Sequence, residues 1–307
     1  MLLFKPEGEY LKSGENAAAL SSFEEFKTAY IKGTVLEARA NYCDKEHNLH
    51  FNFGFIEGIM LRTECAAGID DGSTRDIAII SRVNKPVRFI ITDIVFAGDK
   101  RTAYLSRRAV QLDYINKYLP QLRRGDIIDA KVTHLESFGA FCDIGCGINA
   151  LLPIDNISVS RIPHPNVRFT VGDNIKAVIR DFDESGRITL SHKELLGTWL
   201  QNAGRFSVGE TVSGIVRSVE NYGIFIELTP NLAGLAEYNS KVTEGQHTSV
   251  YIKSIIPEKM KFKLIIVDAF DADYPPEKPI YYFTGNHIDY FGYSPENSEK
   301  KVETVFE

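Results

Sequence analysis

The stretch RRGDIIDAKVTHLESFGAFCDIG (residues 123–145) decides the fold, because a second version of it follows later in the chain. The second version, FSVGETVSGIVRSVENYGIFIEL (residues 206–228), aligns with the first at one constant offset and without a gap. Internal self-similarity of this kind indicates a repeated structural unit. The aligned positions are Gly125 with Gly209, Phe138 with Tyr222, Gly139 with Gly223, and Phe141 with Phe225.

Each copy predicts about five short strands. The aromatic stretch is followed by two further apolar segments, in residues 172–194 of the first copy and 245–268 of the second. Glu184, Ser185 and Gly186 form a turn signal between two alternating segments, which is typical of a β-hairpin. Five short strands suit a small closed barrel, and the oligonucleotide-binding (OB) barrel is the five-stranded candidate.

A third, weaker copy precedes these two. GDKRTAYLSRR (residues 98–108) parallels ESGRITLSHKE (residues 184–194), whereas the first half of this copy lacks the F-G-x-F sequence. Phe51, Phe53 and Phe55 alternate there, and the pattern favours a role in the core.

The fold class is therefore predicted to be dominated by β-structure. We expect three tandem five-stranded OB-type barrels joined by short α-helical linkers, with a short N-terminal helix and an acidic, aromatic C-terminal tail. The linkers are expected from Ala109 to about Tyr118 and from His192 to Gly204. Ser22 begins a capping-box sequence for the N-terminal helix, which should pack against the first barrel. The predicted divisions are an extension (1–29), a divergent OB-type module (30–118), a middle module (119–197), a degenerate last module (198–270) and the tail (271–307).

The middle module resembles a known RNA-binding family. GDIIDAKVTHLESFGAFCDIGCGINALLP, continued by VGDNIKAVIRDFDESGRITLSHKEL, is similar to the S-one RNA-binding domain, the OB-fold module named after a bacterial small-subunit ribosomal protein. The similarity spans residues 123–197 almost end to end, while residues 205–268 resemble a degenerate copy and residues 30–109 resemble the module in outline. The three-module plan is similar to that of short bacterial proteins related to this ribosomal protein.

The resemblance implies a surface for single-stranded RNA. In the family, aromatic side chains of the second strand stack on bases, which implies Phe138 and Phe141 in the middle module and Tyr222 and Phe225 in the last. Where family members often carry a histidine after the third strand, the two modules have a proline and a glutamate.

The residue pattern alone also allows the two phenylalanines of the middle module to be core residues. Residues three apart on a strand point to opposite faces of the sheet. A bulge at Gly139 would turn both rings to the same side.

Cations near the rings are expected to hold the RNA backbone, although the same charges would also suit solvated loops. Lys261 and Lys263 alternate with Phe262, so the lysines should share a face and leave Phe262 to the core. The candidate cations are Lys131, Arg161, His164, Arg168, Arg187 and Lys193 in the middle module, and Lys253, Lys261 and Lys263 in the last.

Composition and charge are those of a soluble globular protein. Hydrophobic residues make up 44% of the chain and charged residues 25%. No apolar run approaches membrane-spanning length and the start lacks the apolar core of a signal peptide, so a cytoplasmic location is expected. The net charge of −6 arises mainly in the termini, which leaves the three modules close to neutral and permits local basic surfaces.

Neither a disulfide framework nor a metal site is predicted. Four cysteines are too few for a disulfide framework in 307 residues, so free thiols are expected. Cys142 and Cys146 lack the C-x-x-C spacing of a metal pair, and a zinc site at Cys43, His47 and His50 would need a fourth ligand. No cofactor is expected.

No catalytic motif is present: the sequence has no G-x-S-x-G, P-loop or H-E-x-x-H. We therefore predict a non-enzymatic RNA-binding protein, with translation as the context that the resemblance implies. The candidate partners are single-stranded messenger or ribosomal RNA and the ribosome, and neither a membrane nor a small-molecule substrate is expected. The alternative is a protein-interaction scaffold in a ribosome-associated or RNA-processing complex.

The tail from residue 271 is acidic but rich in aromatic residues. Disordered tails are usually poor in aromatic residues, so much of this segment should dock on a barrel. A sharper hypothesis is that it covers the aromatic face of the last module.

Overall fold

The fold is built mainly from strands, in a computed structural model that describes residues 4–184, 186–275 and 277–306. The chain divides into two units. The first comprises Met1–Leu122 with Asp143–Asn149, and the second comprises Arg123–Cys142 with Ala150–Glu307. The predominance of strands confirms the predicted fold class.

Two helices, α1 (Gly14–Ala19) and α2 (Phe23–Lys32), precede the first sheet. The Ser22 side chain accepts a hydrogen bond from the Glu25 backbone N–H at 3.3 Å, as its capping position predicts. Phe26 of α2 is fully buried and belongs to the core of the first sheet. The N-terminal helix therefore packs against the first module, as expected.

The first module is a six-stranded sheet with a short helix, α3 (Ile77–Ile80). Its strands are β1 (Leu36–Arg39), β2 (Tyr42–Cys43), β3 (Leu49–Asn52), β4 (Glu57–Met60), β5 (Pro86–Ala97) and β6 (Lys100–Ser106). The order across the sheet is β1-β5-β6-β4-β3-β2. The two edge strands are thus consecutive in the chain, and only Ala40 and Asn41 lie between them.

The first sheet has the OB strand order with a broken first strand. If β1 and β2 are taken as the two halves of one strand, the order becomes first, second, third, fifth, fourth and back to the first. The predicted core role of its phenylalanines is also found: Phe51 is 2% exposed, and Phe53 and Phe55 pack against the same core.

Two closed five-stranded barrels follow, both with that strand order. The middle barrel contains β7 (Ile127–Glu136), β8 (Gly139–Asp143), β9 (Asn149–Pro153), β10 (Asn174–Phe182) and β11 (Ile188–Ser191). The last barrel contains β12 (Thr211–Glu220), β13 (Gly223–Thr229), β14 (Leu232–Ala236), β15 (His247–Ile256) and β16 (Lys261–Phe270). Two of the three predicted five-stranded barrels are therefore confirmed as closed barrels, whereas the first module is the six-stranded sheet.

The two linkers differ in continuity. After the first sheet, α4 (Arg107–Asp113) continues through π-helical and 3-10 turns to Gln121, close to the predicted helix. After the middle barrel, α5 (Trp199–Ala203) is separated from the preceding 3-10 turn by Gly197, which has φ of 87°. A Cβ at Gly197 would lie 2.6 Å from the ring of Tyr282. The single helix predicted from residue 192 to 204 is wrong, because the chain turns at Gly197.

The tail docks on the second unit and forms a two-stranded sheet, β17 (Tyr290–Gly292) and β18 (Glu303–Val305). The Ile288 backbone N–H donates to the Gly125 carbonyl oxygen at 2.9 Å. Docking was predicted, but the hypothesis that the tail covers the aromatic face is wrong for the described residues, because Tyr222 remains 71% exposed.

All four cysteines are free thiols, as expected. None of the helices within the described ranges combines the length and apolar character needed to cross a membrane.

Candidate nucleic-acid interface

Phe138 and Phe141 lie side by side at the start of β8. Their ring centroids are 6.0 Å apart and the ring planes meet at 89°. Phe138 is 54% exposed, whereas Phe141 is half-buried. Phe138 lies in the turn before the strand, so the alternation that separates residues within a strand does not apply to it. The two rings therefore share one surface.

The glycine between the rings is required by a close approach of two strands. A Cβ at Gly139 would lie 2.5 Å from the Leu152 carbonyl oxygen, and one at Gly223 would lie 2.6 Å from the Ala236 carbonyl oxygen. In the last barrel the strand pairing runs from Gly223 to Phe225 without a register shift. The bulge expected at this glycine is therefore absent from the last barrel, and strand proximity explains the residue.

His134 is a third ring beside the pair, and sequence reasoning did not single it out. Its ring centroid lies 6.4 Å from that of Phe141, with 27° between the planes. Its Nε2 is 2.7 Å from Oε1 of Glu136. The signal that could have found it is its place near the end of β7, since facing positions of a hairpin bring side chains together.

The last barrel repeats the ring pair. The centroids of Tyr222 and Phe225 are 6.1 Å apart, with 85° between the planes. Phe225 pairs with Leu235 on β14, and Leu235 pairs with Lys263 on β16. Because paired strands lie about 4.8 Å apart, Lys263 is about 10 Å from Phe225 on the same face of the sheet.

The three lysines predicted for the last barrel are all exposed. Lys253 lies on β15, and Lys261 and Lys263 lie on β16 on either side of Phe262, which is 1% exposed. Glu237, which takes the position after the third strand, is exposed and lines a cleft of about 480 Å³ beside β16. This barrel thus presents rings and cations together, with one acid nearby.

The cations predicted for the middle barrel have more varied surroundings. Arg161 and Arg187 are exposed, and Lys131 and His164 are half-buried. The Nζ of Lys193 donates to a backbone carbonyl oxygen at 3.1 Å, and burial lowers the pKa of its ammonium group.

Arg168 has a different position from the one expected of an RNA contact. Its guanidinium donates to the carboxylate of Glu227, which Arg217 also contacts at 3.0 Å. The three side chains are 10%, 5% and 9% exposed respectively. The guanidinium of Arg168 is therefore engaged in a buried ion pair and is not exposed towards a ligand, which argues against the predicted contact of Arg168 with RNA.

Arg168 and Glu227 belong to a junction between the middle and last barrels. Asn231, in the turn after β13, is fully buried there. Its Nδ2 donates to the Lys193 carbonyl oxygen at 2.8 Å, and its Oδ1 accepts from the Val159 backbone N–H at 3.0 Å. The bond from Val159 connects the long β9–β10 loop directly to the last barrel, and the bond to Lys193 connects the turn after β11 to it.

Within the described ranges, no three His, Cys, Asp or Glu side chains are grouped to hold a metal ion. Two members of the zinc set considered from the sequence have carboxylate partners. His50 Nε2 lies 2.9 Å from Oδ2 of Asp44, and His47 Nδ1 lies 3.3 Å from Oδ2 of Asp76.

Comparison with known proteins agrees with this arrangement of the middle barrel. Residues 121–193 match the family model of the S1 RNA binding domain. The S1 domain is the S-one domain that the sequence of this barrel resembles, and the match includes both phenylalanines of the ring pair.

The curated relatives that the chain matches include ribosomal proteins. Small ribosomal subunit protein bS1 of Staphylococcus aureus (strain COL) is 32% identical over 179 residues, which cover 53% of this chain and 46% of the relative. Its counterpart in Staphylococcus epidermidis is 33% identical over 179 residues, covering 53% and 45%. The chain therefore spans just under half the length of these relatives.

Solved structures give weaker matches. The solution structure of GSP13 from Bacillus subtilis is 28% identical, covers 23% of this chain and 55% of that chain, and has a TM-score of 0.22. A multidomain protein with nucleic acid binding domains from Streptococcus pneumoniae is 12% identical, covers 77% of this chain and 74% of that chain, and has a TM-score of 0.25.

Proposed function

We propose that this chain is a non-enzymatic protein that binds single-stranded RNA in translation. The observation that carries the proposal is the Phe138–Phe141 ring pair, which is exposed on a barrel that matches the S1 RNA binding domain. Messenger and ribosomal RNA are the candidate ligands, and the ribosome is a candidate partner. A cytoplasmic location belongs to the same proposal.

The two rings of each pair have different roles in this proposal. Phe138 is the more exposed ring, so its face receives a base, and the half-buried Phe141 supports it at its edge. Stacking on an aromatic side chain stabilises a bound base by about 1–3 kcal/mol and tolerates any base, since every base has a π-face. Tyr222 and Phe225 provide the same arrangement in the last barrel.

The RNA backbone is held by the exposed cations of the two barrels. In the last barrel these are Lys253, Lys261 and Lys263, and in the middle barrel Arg161 and Arg187. Each phosphate that is neutralised releases condensed counterions, so binding weakens as salt rises.

The test is fluorescence anisotropy of a labelled single-stranded oligoribonucleotide at several salt concentrations. The variant Phe138→Ala, Phe141→Ala should bind at least about tenfold more weakly than the wild type, because a stacked base is lost. Leu200→Ala is a matched control, because Leu200 is 53% exposed on α5 and lies outside the ring pairs. Equal affinity of the wild type and the double variant, with circular dichroism showing both folded, would contradict the proposal.

A protein-interaction scaffold is the second candidate, and one observation favours it. On the outer side of the β15–β16 hairpin, Ile265 pairs with Tyr251 and is 46% exposed, and nearby Val267 is 62% exposed. Grouped exposed apolar side chains often mark a protein contact. Absence of RNA binding by the wild type would favour this function over the first.

A further inference from the structure

A row of four paired residues, three of which carry rings, crosses the outer face of the first sheet. Tyr42 on β2 pairs with His50 on β3, His50 pairs with Ile59 on β4, and Ile59 pairs with Tyr104 on β6. Residues that pair across neighbouring strands lie on the same face. The sequence neighbours of this row form the core, including Leu49 and Met60 at 0% and Leu105 at 1% exposure. The row therefore faces outward.

Tyr42 and His50 stack on each other. Their ring centroids are 4.4 Å apart and their planes differ by 4°. His50 is held at its edge by Asp44, whose carboxylate also accepts the Asn48 backbone N–H at 2.8 Å. The hydrogen bond from His50 is the largest influence that lowers the pKa of Asp44, to about 2, so this carboxylate stays ionised and keeps the imidazole in place.

The outer side of the stack is open. His50 covers one face of the Tyr42 ring, and Tyr42 is nevertheless 55% exposed. An aromatic ring that is held on one face by another ring and exposed on the other loses little conformational entropy when a flat ligand stacks on its exposed face.

In the strand pairing, His50 of the stack occupies the position that Phe225 of the ring pair occupies in the last barrel. There, Phe225 on the second strand pairs with Leu235 on the third, which pairs with Lys263 on the fifth. In the first sheet, His50, Ile59 and Tyr104 occupy the same three strands in the same pairing. The first module thus places an aromatic ring at this position although its sequence lacks F-G-x-F.

We propose that Tyr42, supported by His50, is a third base-stacking site for single-stranded RNA. The proposal rests on the proposed function, because it assigns the same ligand to a module that the family match does not include. Lys100 is the nearby cation: its side chain is 65% exposed, and its Nζ lies 2.9 Å from Oε2 of Glu57, which is two residues before Ile59 on β4 and so shares the face of the row. Exposed ion pairs of this kind contribute little stability, so Lys100 can exchange Glu57 for a phosphate.

The experiment uses the full chain and a background variant in which Phe138, Phe141, Tyr222 and Phe225 are all replaced by alanine. This four-ring variant should retain measurable binding of single-stranded RNA in an anisotropy titration. Adding Tyr42→Ala should weaken that binding about tenfold, the loss expected for one stacked base. Tyr42→Phe should leave the affinity unchanged, because the ring remains.

Tyr290→Ala in the four-ring background is the matched control, because Tyr290 is 56% exposed and lies outside the row, on β17. Ultraviolet crosslinking of wild-type protein to RNA that carries 5-iodouridine, mapped by mass spectrometry, should identify the peptide that contains Tyr42. Circular dichroism confirms that each variant is folded.

The outcomes separate the two proposals. If the wild type binds RNA but the four-ring variant has lost all binding, or if Tyr42→Ala has no effect, the third site is wrong and the proposed function stands. If Tyr42→Ala weakens binding but the four substitutions do not, the third site stands and the assignment of the other ring pairs is wrong. If the wild type binds no RNA, both proposals are wrong.

Discussion

The middle and last barrels carry the same ring pair in different surroundings. The ring centroids are 6.0 Å apart in the middle barrel and 6.1 Å apart in the last. In the middle barrel the long loop of residues 154–173 contacts the last barrel, and Arg168 of that loop is buried against Glu227. The last barrel has the shorter loop of residues 237–246 and keeps its lysines exposed.

Similarity to the S1 RNA binding domain and exposure of the rings and cations are therefore separate properties of the two barrels. The middle barrel has the better match to the S1 RNA binding domain, and its rings are in place. The last barrel has the more exposed ring, with Tyr222 at 71%, and the more exposed cations. We therefore expect both barrels to bind RNA. Bases should stack on the rings of both barrels, and most of the phosphate contacts should be made by the last barrel.

The largest predicted effect concerns the junction between the β9–β10 loop and the last barrel. Glu227→Ala leaves the guanidinium groups of Arg168 and Arg217 buried without their common carboxylate. Removing one partner of a buried ion pair destabilises a protein by about 3–5 kcal/mol. Urea unfolding followed by tryptophan fluorescence measures this loss, because the single tryptophan, Trp199, is buried in the last barrel's core.

Asp113→Asn is the control for the junction, because Asp113 pairs with Lys117 at the surface and such pairs contribute about 0–1 kcal/mol. A Glu227→Ala variant as stable as this control would show that the junction is not what holds the β9–β10 loop in place.

The ring positions were predictable from sequence, whereas the environment of Arg168 was not. The constant offset between copies is a pattern that the sequence shows directly, and it aligned Phe138 and Phe141 with the second ring pair, whereas strand alternation alone would have placed the two rings on opposite faces. The partner of Arg168 lies 59 residues away along the chain, and no local pattern encodes that contact. The broken strand at Ala40 and Asn41 likewise hid the ring row of the first sheet: His50 lies on the second strand as in the repeat, but Tyr42 comes from the second half of the first strand and Tyr104 from the fifth.

The second prediction concerns the division of phosphate contacts between the barrels. Replacing Lys253, Lys261 and Lys263 with glutamine should reduce the slope of log affinity against log salt by about 2, since each phosphate contact to a single strand contributes about 0.7. Replacing Arg161 and Arg187 with glutamine should reduce it by about 1.4. Anisotropy titrations across a salt series measure both slopes.

The control for these charge changes is the triple glutamine variant of Lys12, Lys27 and Lys32, which are exposed in the first unit and should leave the slope unchanged. A larger slope change for the middle-barrel arginines than for the last-barrel lysines would reverse the comparison.

The smallest predicted effect concerns how the tail attaches to each barrel. At the middle barrel, His287 Nδ1 lies 2.6 Å from Oδ1 of Asp126, and its Nε2 lies 3.0 Å from Oδ1 of Asp289. The hydrogen bond with Asp126 is the main influence that raises the pKa of His287 above its usual value. At the last barrel, the Tyr293 hydroxyl donates to the Asn231 carbonyl oxygen, and burial raises the pKa of this tyrosine.

Only the attachment to the middle barrel should therefore depend on pH near neutrality. A histidine whose pKa is higher in the folded than in the unfolded chain contributes its full stabilisation below the unfolded value of about 6.5. That contribution is lost as the pH rises through the folded value, so the thermal midpoint of the wild type should fall slightly between about pH 6 and about pH 8. The midpoint of His287→Asn should change less over the same range, because asparagine keeps a polar group there but does not titrate. If the variant and the wild type show the same pH dependence, His287 does not fasten the tail, and the backbone bond between Ile288 and Gly125 is what holds it to the middle barrel.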